Sequence, residues 1–348
     1  MSIRLSLCIA TLNRAHFIGA TLESIISQAT DEVEVVVVDG ASTDNTAQVV
    51  QQYQEKFPRL LYVRLEAKGG VDRDYDRAVA MAQGEYCWLM TDDDLLKPGA
   101  IQAVLFAMQT DYKVIVVNAE VYNADLSQRL ISHQLPFRTD RVYQPTAQDR
   151  ERFLVEVGFY LTFIGSLVIQ RELWNRRDRE SYFGTEFVHL GVIFADPMPV
   201  AARVLSEPWI MIRYGNAQWA PRSFGIWMFK LPSLIWSLPG YTTTARRQVC
   251  PKEPWRKISA LLLFRARGAY GLDEYQQWIM PRSGTLAGKL IAHTIARLPG
   301  CVVNGLAWVY AYARQRRLLL IDLINSPFYF RRCRTQPFSQ ITERSRAK

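Results

Sequence analysis

The chain has 348 residues, of which 49% are hydrophobic, 12% aromatic and 22% charged. These values are typical of a globular protein and exclude a collagen-like, low-complexity or intrinsically disordered chain. The net charge of +9 is unevenly placed: residues 241–348 carry 19 Lys and Arg against 5 Asp and Glu, so residues 1–240 are acidic.

Short apolar runs alternate with helical patterns over the first 120 residues. Runs rich in β-branched or aromatic residues predict strands, and apolar residues at helical spacing predict helices. The strands are expected at 3–10, 33–38, 60–65, 85–90 and 113–119, and the helices at 18–26, 43–57, 71–83 and 98–109. This alternation indicates a doubly wound α/β sheet, whose ligands bind beyond the carboxyl ends of its strands.

The remaining chain changes character twice, which predicts three segments at 1–120, 121–220 and 221–348. Residues 120–215 are less regular and predict mixed α+β structure, with a short strand at 166–169. From residue 223 onward, aromatic residues interleave with Arg and Lys. The most apolar part, 286–313, has an uncharged stretch of only 16 residues from Leu298 to Ala313, and a membrane-spanning helix needs about 20.

This basic region is expected to lie on an anionic membrane surface, with apolar side chains in the headgroup boundary. Core helices with a solvated basic face are the alternative. No nucleic-acid-binding motif is present, so nucleic acid is not an expected partner. The N-terminus lacks a signal-peptide pattern, and the five scattered cysteines include no C-x-x-C pair. A cytoplasmic protein without a zinc cluster or a disulfide framework is therefore expected.

Acidic residues stand where two of the predicted strands end. Asp39 follows the strand at 33–38, and Asp92, Asp93 and Asp94 follow the strand at 85–90. Three consecutive carboxylates repel one another unless a cation neutralises them, and hard oxygen ligands suit Mg²⁺ or Mn²⁺. Substrate phosphates usually complete such a site, which favours a phosphate-bearing substrate. A solvated turn or helix cap is the alternative.

Four ordered motifs carry a family resemblance. They are Thr11-Leu12-Asn13-Arg14, Asp39-Gly40-Ala41-Ser42, Gly69-Gly70 followed by Asp72, and Gly84-Glu85-Tyr86 ahead of the acidic triplet. This set resembles family 2 glycosyltransferases of the GT-A fold, clearly over residues 3–120 and weakly over 120–215. The sequence between Gly69 and Ile101 is similar to that of the abequosyltransferase-type branch, which transfers dideoxyhexoses onto lipid-linked O-antigen units. The resemblance implies a Rossmann-like nucleotide-sugar-binding sheet followed by a mostly helical, basic, aromatic-rich C-terminal region.

The resemblance also implies a nucleotide site, formed by Thr11, Asn13, Arg14, Asp39, Ser42, Asp72, Arg73 and Asp92. Asp39 would accept a hydrogen bond from the base, and Asp72 would contact the nucleoside. Ser42 is equally well explained as a turn former. Arg73, like Arg77, would either face the diphosphate or form an ion pair with Asp74 or Asp76 on the helix surface.

The triplet corresponds to the family's Asp-x-Asp metal motif, although Thr91 occupies its usual first position. The predicted metal ligands are Asp93 and Asp94, joined by His189, with the register of the motif left open toward Asp92. Glu186 is the predicted catalytic base, and Asp178, Glu180 and Asp196 are the alternatives. His189 shares a helical face with Glu186, and a packed core histidine is its other interpretation.

The expected activity is metal-dependent, inverting sugar transfer with Mg²⁺ or Mn²⁺. The donor would be a nucleotide diphosphate sugar, and the acceptor a hydroxyl of a lipid-linked glycan held at the inner face of the plasma membrane. A nucleotidyltransferase is one alternative, although residues 11–14 lack the Gly-rich phosphate loop with Lys that would favour it. An inactive glycan-binding or assembly subunit on the membrane is the other.

Overall fold

The computed structural model describes residues 2–198 and 201–333. The strands are β1 Leu5–Thr11, β2 Val33–Asp39, β3 Leu60–Arg64, β4 Tyr86–Met90, β5 Leu95–Leu96, β6 Val114–Tyr122, β7 Arg129–Ile131, β8 Arg141–Tyr143, β9 Leu167–Gln170 and β10 Ala202–Arg213. The first nine helices are α1 Ile18–Ile26, α2 Thr46–Lys56, α3 Val71–Met81, α4 Ala100–Ala107, α5 Ala147–Val157, α6 Arg171–Arg176, α7 Val188–Phe194, α8 Ser223–Gly225 and α9 Leu231–Ser237. The others are α10 Thr243–Val249, α11 Ile258–Arg267, α12 Leu272–Glu274, α13 Leu286–Arg297, α14 Gly300–Ala313, α15 Arg317–Asn325 and α16 Phe330–Cys333.

Within these residues the strands form a mixed sheet in the order β3-β2-β1-β4-β9-β6-β10-β5, with β7 beside β6 and β8 beside β10. The strands β1 to β4 are mutually parallel, as alternation with helices predicts. Antiparallel β9 lies between β4 and β6 and joins the later strands to the same sheet. The α/β fold class predicted from the sequence is confirmed.

The sheet is covered on both faces by helices. All seven residues of β2 are buried, which explains why its sequence is almost continuously apolar. On α1, the buried residues Ile18, Leu22 and Ile25 recur at helical spacing and join the core of the sheet. The interior is thus built by the two periodicities that the sequence displays.

The chain divides into two compact units. The first holds the residues up to Arg213 together with Leu234–Cys250, and the second holds Tyr214–Ser233 and the described residues from Pro251 onward. Arg150 is one of the residues that fasten the segment 234–250 to the first unit. The Arg150 guanidinium donates to the carbonyl of Pro239 at 2.9 Å and lies 4.5 Å from the ring of Tyr241. The sequence-based boundary at residue 220 does not anticipate this return.

The second unit is helical and has its own aromatic core. Phe224 packs against Tyr270 at 4.5 Å between ring centroids, and Phe229 stacks on Trp278 at 5.1 Å. Of the cysteines, Cys301 takes part in a disulfide bond, which the sequence interpretation did not include.

Among the described helices, none alone has the length and hydropathy needed to cross a membrane. Only α13 and α14 taken together do, and they are bent by 94° at their junction.

Candidate active site

The site lies at the carboxyl edge of the parallel strands β1, β2 and β4. In the sheet register, Thr11 pairs with Asp39 and Ile9 with Met90, so the turns that follow these strands emerge side by side. The predicted nucleotide-site residues after β1 and β2 and the acidic triplet after β4 are therefore brought to one edge, as expected for an α/β sheet.

The turns after β1 and β2 are fastened to each other. Asn13, whose φ of 54° is left-handed, accepts the backbone N–H of Thr43 at 2.7 Å through its side-chain carbonyl. Its own N–H donates to the Ser42 hydroxyl at 2.8 Å. Left-handed backbone suits Asn, whose short polar side chain bonds locally. Asn13 and Ser42 thus shape the edge of the site. The contacts of Ser42 fit a turn former, which was the second interpretation of this residue.

Asp39 is fully buried, and the protein already engages both its carboxylate oxygens. One accepts the backbone N–H of Ser42 at 2.7 Å, and the other accepts the hydroxyl of Tyr62 at 2.7 Å. Burial, together with the Asp39 carboxylate, raises the pKa of Tyr62, so this phenol stays a hydrogen-bond donor. Contact of Asp39 with a base remains a prediction.

In the acidic turn, Arg14 faces two carboxylates at once. Its Nε lies 3.3 Å from Asp92, and its Nη2 lies 3.3 Å from Asp93, with all three side chains largely buried. Burial and the charge of Asp93 raise the pKa of Asp92 to about 7, although Arg14 opposes the rise. Like charges held together at such a cost are typical of functional sites.

Asp94 takes a different role from its neighbours. It is buried, and its carboxylate accepts the backbone N–H of Arg213 on β10 at 2.7 Å and the hydroxyl of Thr91 at 2.6 Å. Burial raises the pKa of Asp94 well above its usual range. The third predicted metal ligand, His189, is also buried; its Nε2 lies 2.7 Å from the carbonyl of Leu161, and burial lowers its pKa to about 4.

Across residues 2–198 and 201–333, no three His, Cys, Asp or Glu side chains converge as a metal-binding group. The predicted set of Asp93, Asp94 and His189 is therefore not brought together. Asp94 is committed to β10 and Thr91, and His189 to Leu161. The carboxylates of Asp92 and Asp93 both face the Arg14 guanidinium, which favours these two residues as the metal-binding pair of the motif.

Helix α3 connects the acidic turn to a loop of the later sequence. Asp72, in its first turn, accepts the backbone N–H groups of Gly184 at 2.8 Å, Glu186 at 2.9 Å and Val188 at 3.0 Å. Burial raises the pKa of Asp72, and these three bonds oppose the rise. One turn further along α3, the hydroxyl of Tyr75 donates to the carbonyl of Met90 at 3.0 Å, directly before the acidic turn.

The predicted base therefore stands on a constrained loop. Glu186 is half-buried and has a φ of 72°, which strains any side-chain-bearing residue. The alternatives are used locally at the surface, since Asp178 accepts the N–H of Ser181 and Asp196 pairs with Arg177 at 3.2 Å. Glu180 is exposed.

Arg73 is exposed on α3, with its guanidinium 4.7 Å from the centre of the Phe183 ring. It makes neither of the surface ion pairs weighed for it: Asp76 accepts instead from Arg179 and Trp174. Arg73 thus borders the loop that carries Glu186. A diphosphate contact for this residue stays a prediction.

Sequence reasoning missed Asp74. This side chain is buried beside two glycines, where added Cβ atoms would lie 3.1 Å (Gly40) and 2.9 Å (Gly69) from its oxygens. Burial raises the pKa of Asp74 to about 6, against the opposing charges of Arg77 and Lys68. The signal in the sequence was the Gly69-Gly70 pair directly before the acidic start of α3.

Comparison with known proteins shows which family and which proteins this chain is similar to. Residues 6–166 match the model of the family described as Glycosyl transferase family 2. The chain is 27% identical to the abequosyltransferase RfbV of Salmonella typhimurium over 226 residues, which cover 61% of this chain and 67% of that protein. It is 26% identical to the GalNAc(5)-diNAcBac-PP-undecaprenol beta-1,3-glucosyltransferase of Campylobacter jejuni, over 53% of this chain and 57% of that one.

Two further curated relatives are matched over 36% and 42% of their own length. Among solved structures, S. aureus TarS 1-349 in complex with UDP-GlcNAc aligns over 97% of this chain and 93% of that chain, with a TM-score of 0.56 and 19% identity, a likeness of fold. Residues 6–166 therefore match glycosyl transferase family 2, and the chain has the α/β fold of a GT-A glycosyltransferase.

Proposed function

We propose that this enzyme transfers a sugar, with inversion at the anomeric carbon, from a nucleoside diphosphate donor to a hydroxyl of a lipid-linked glycan, and that Glu186 is its base. The observation that carries the proposal is the double attachment of α3. Asp72 holds the loop of Glu186, and Tyr75 holds the strand end before Asp92 and Asp93. Residues three apart on a helix lie on one face, so base and acidic turn are held near each other.

The proposed reaction uses that placement. As the acceptor oxygen attacks the anomeric carbon, its proton passes to the Glu186 carboxylate, and the bond from the anomeric carbon to the diphosphate oxygen breaks. The leaving diphosphate takes both electrons of that bond. General base catalysis of this kind contributes about 10²–10⁴-fold to a rate.

The Asp92 and Asp93 carboxylates fit a divalent cation. Mg²⁺ is commonly held by one or two carboxylates and completed by substrate phosphates, so two adjacent carboxylates suffice without a third protein ligand. A cation bound there would supply positive charge to the leaving diphosphate. Arg14, at 3.3 Å from each carboxylate, contributes a fixed positive charge at the same place.

Replacing the base tests the assignment. We expect Glu186→Gln to lower kcat by about 10²–10⁴-fold while the Kd for the nucleoside diphosphate stays within about twofold, because the amide keeps the shape but accepts no proton. Glu180→Gln, on an exposed side chain nearby, is the matched control and should retain activity. Full activity in Glu186→Gln, or its loss in Glu180→Gln, would refute Glu186 as the base.

The donor and the acceptor are proposed from the relatives. The Salmonella protein is named for abequose transfer and the Campylobacter protein for an undecaprenol-linked acceptor, which supports a deoxyhexose or hexose donor and a lipid-linked acceptor here. A thermal-shift screen of UDP, GDP, CDP and dTDP with Mn²⁺ tests the nucleotide, since a ligand stabilises the fold by RT ln(1 + [L]/Kd). No shift with any of them would contradict the donor class.

We also propose that the second unit binds an anionic membrane, at the inner face of the plasma membrane. On α13 and α14 one side packs inward through Ile295 and Val303, whereas the other side exposes large apolar residues. These include Leu286 (86% exposed), Leu290, Val302, Leu306 (69% exposed) and Val309. Exposed Arg314, Arg316 and Arg317 follow directly. Apolar side chains bordered by cations suit an anionic bilayer surface.

Vesicle sedimentation tests this surface. We expect Leu306→Glu to lower binding to vesicles of phosphatidylglycerol and phosphatidylcholine at least tenfold, because a carboxylate would enter the headgroup boundary. Phe106→Glu, on a side chain that is 63% exposed on α4 of the first unit, is the control and should bind as wild type does. Unchanged binding in Leu306→Glu would refute the assigned surface.

A further inference from the structure

Five consecutive backbone N–H groups, those of residues 184–188, are all hydrogen-bonded, and they alternate between two kinds of partner. The N–H groups of 184, 186 and 188 donate to Asp72. The N–H of Thr185 donates to the carbonyl of Tyr182, and that of Phe187 to the Thr185 hydroxyl. Buried backbone donors require such partners, so the loop's conformation depends on one carboxylate 112 to 116 residues earlier.

The conformation held in this way is strained. Gly184 has a φ of 86° and Glu186 a φ of 72°, both left-handed, and only the first is a glycine. A side-chain-bearing residue adopts such backbone when its surroundings impose it. The bond from the Glu186 N–H to Asp72, at 2.9 Å, acts on the strained residue itself.

The same carboxylate also caps α7. The first residue of α7 is Val188, and the residue before it, Phe187, has no side chain able to cap the helix. Asp72 accepts the Val188 N–H at 3.0 Å in its place. Loop and helix start are thus fixed by a single side chain, and that side chain is buried with its oxygens facing protein.

We infer that Asp72 is a positioning residue for catalysis: its three bonds to the 184–188 backbone hold Glu186 in the geometry that accepts the acceptor proton. This role replaces the nucleoside contact expected from sequence, and it rests on the proposed function of Glu186. It acts on the chemical step and leaves nucleotide binding unchanged.

Asp72→Asn is the primary test, because the amide keeps the size of the side chain but leaves one acceptor oxygen for three N–H groups. We expect kcat to fall about tenfold to a hundredfold, a loss within the range of general base catalysis. The Kd for the nucleoside diphosphate found in the thermal-shift screen should stay within about twofold. Asp72→Glu should recover little, since the extra methylene displaces the carboxylate from the loop.

Asp76→Asn is the matched control. Asp76 lies one turn further on the same helix and holds Trp174 and Arg179 at 2.9 and 2.8 Å, away from the Glu186 loop. It should lose stability as Asp72→Asn does but keep kcat. Equal kcat losses in both variants would reduce Asp72 to a general structural role and overturn the inference. A raised Kd in Asp72→Asn with kcat unchanged would restore the nucleoside contact.

Gly184→Ala perturbs the loop from its other end and serves if Asp72→Asn does not fold. A Cβ at Gly184 meets nothing within 4 Å, so the substitution adds backbone strain alone at φ 86°. It should lower kcat with the Kd unchanged. Wild-type kcat in Gly184→Ala would count against the inference.

A double-mutant cycle separates this inference from the function on which it rests. If Asp72 acts through Glu186, the double variant Asp72→Asn/Glu186→Gln is no slower than Glu186→Gln alone. Additive losses would overturn the positioning role while leaving the base intact. Full activity of Glu186→Gln would instead refute the base, whatever Asp72→Asn does.

Discussion

The carboxyl edge of the sheet and the outer side of α13 and α14 depart from ordinary packing in opposite ways: the first buries polar groups, and the second exposes apolar ones. At the sheet edge, polar groups such as Asp39, Asp93 and Asp94 are buried. On the helices, Leu286 and Leu306 are exposed. Buried polar groups and exposed apolar surfaces are the informative departures from normal packing. In the function proposed above, the first region meets a charged substrate and the second an apolar surface.

The largest effect should come from the sheet edge. Asp93→Asn is expected to lower sugar transfer by about 10²–10³-fold, equivalent to about 3–4 kcal/mol of transition-state stabilisation. Stability should not fall, because the substitution relieves repulsion with Asp92. Initial rates at saturating Mg²⁺ or Mn²⁺, with chemical denaturation in parallel, measure both. Asp111→Asn, at an exposed aspartate, is the control. Near wild-type transfer by Asp93→Asn would refute a role in sugar transfer for this buried carboxylate.

The buried side of α14 should carry the next effect. Asn304 donates to the carbonyls of Ala266 and Leu323 at 3.0 Å each and is fully buried. Asn304→Ala should cost about 2–3 kcal/mol of unfolding free energy, since two buried carbonyls lose their donor.

Leu306→Ala, two residues along on the exposed side of the same helix, is the matched control. It should stay within about 0.5 kcal/mol of wild type in the same denaturation experiment. Equal losses in the two variants would show that the outer side of α14 is packed in solution.

A smaller, pH-dependent effect is expected at Asp74. Its pKa of about 6 exceeds the ordinary aspartate value, so its contribution to stability is present below pH 4 and lost as the pH rises through 6. Asp74→Asn, which does not titrate, should therefore gain about 1–2 kcal/mol over wild type above pH 7, allowing for solvent screening.

The charged groups that face Asp74 are Lys68, Arg77 and Asp39. Asp76→Asn, which removes a carboxylate from the same helix, is the control. Thermal unfolding between pH 4 and 8 makes the measurement. A stability difference that does not change with pH would contradict an ionised, buried Asp74.

The smallest effect concerns the cations beside the apolar surface. Arg317→Gln should weaken binding to anionic vesicles about fivefold, or about 1 kcal/mol, and less so at high salt. Arg59→Gln removes the same charge from the first unit and should have no effect. Equal effects of both would show that net charge, and not this surface, drives binding.

The sequence predicts the regular part of the fold well and the use of its carboxylates poorly. Strands and helices of the first 120 residues follow from local periodicity, and every predicted strand there is observed within two residues at its start. The hydrogen-bond partners of a carboxylate, in contrast, can lie far away in the sequence. Asp94 meets Arg213, and Asp72 meets Val188, over more than a hundred residues.

Other differences have the same origin. His189 lies at helical spacing from Glu186, which made it a candidate ligand, but its ring faces the Leu161 carbonyl, a backbone group that no side-chain pattern reveals. The return of 234–250 to the first unit includes a contact of Arg150 with Pro239, again across distant sequence. Local periodicity contains no information about such pairings.

Helix α3 fixes the angle, around its own axis, between the side chain that holds the Glu186 loop and the side chain that holds the acidic turn. Asp72 and Tyr75 act together because a spacing of three residues puts their side chains on the same face of the helix, and each added residue turns the following ones by about 100°. Two residues inserted between them would leave the helix intact yet turn Tyr75 by about 200°, away from the acidic turn. The spacing inside this helix is therefore as constrained as the identity of its residues, and natural length variation should be absent there.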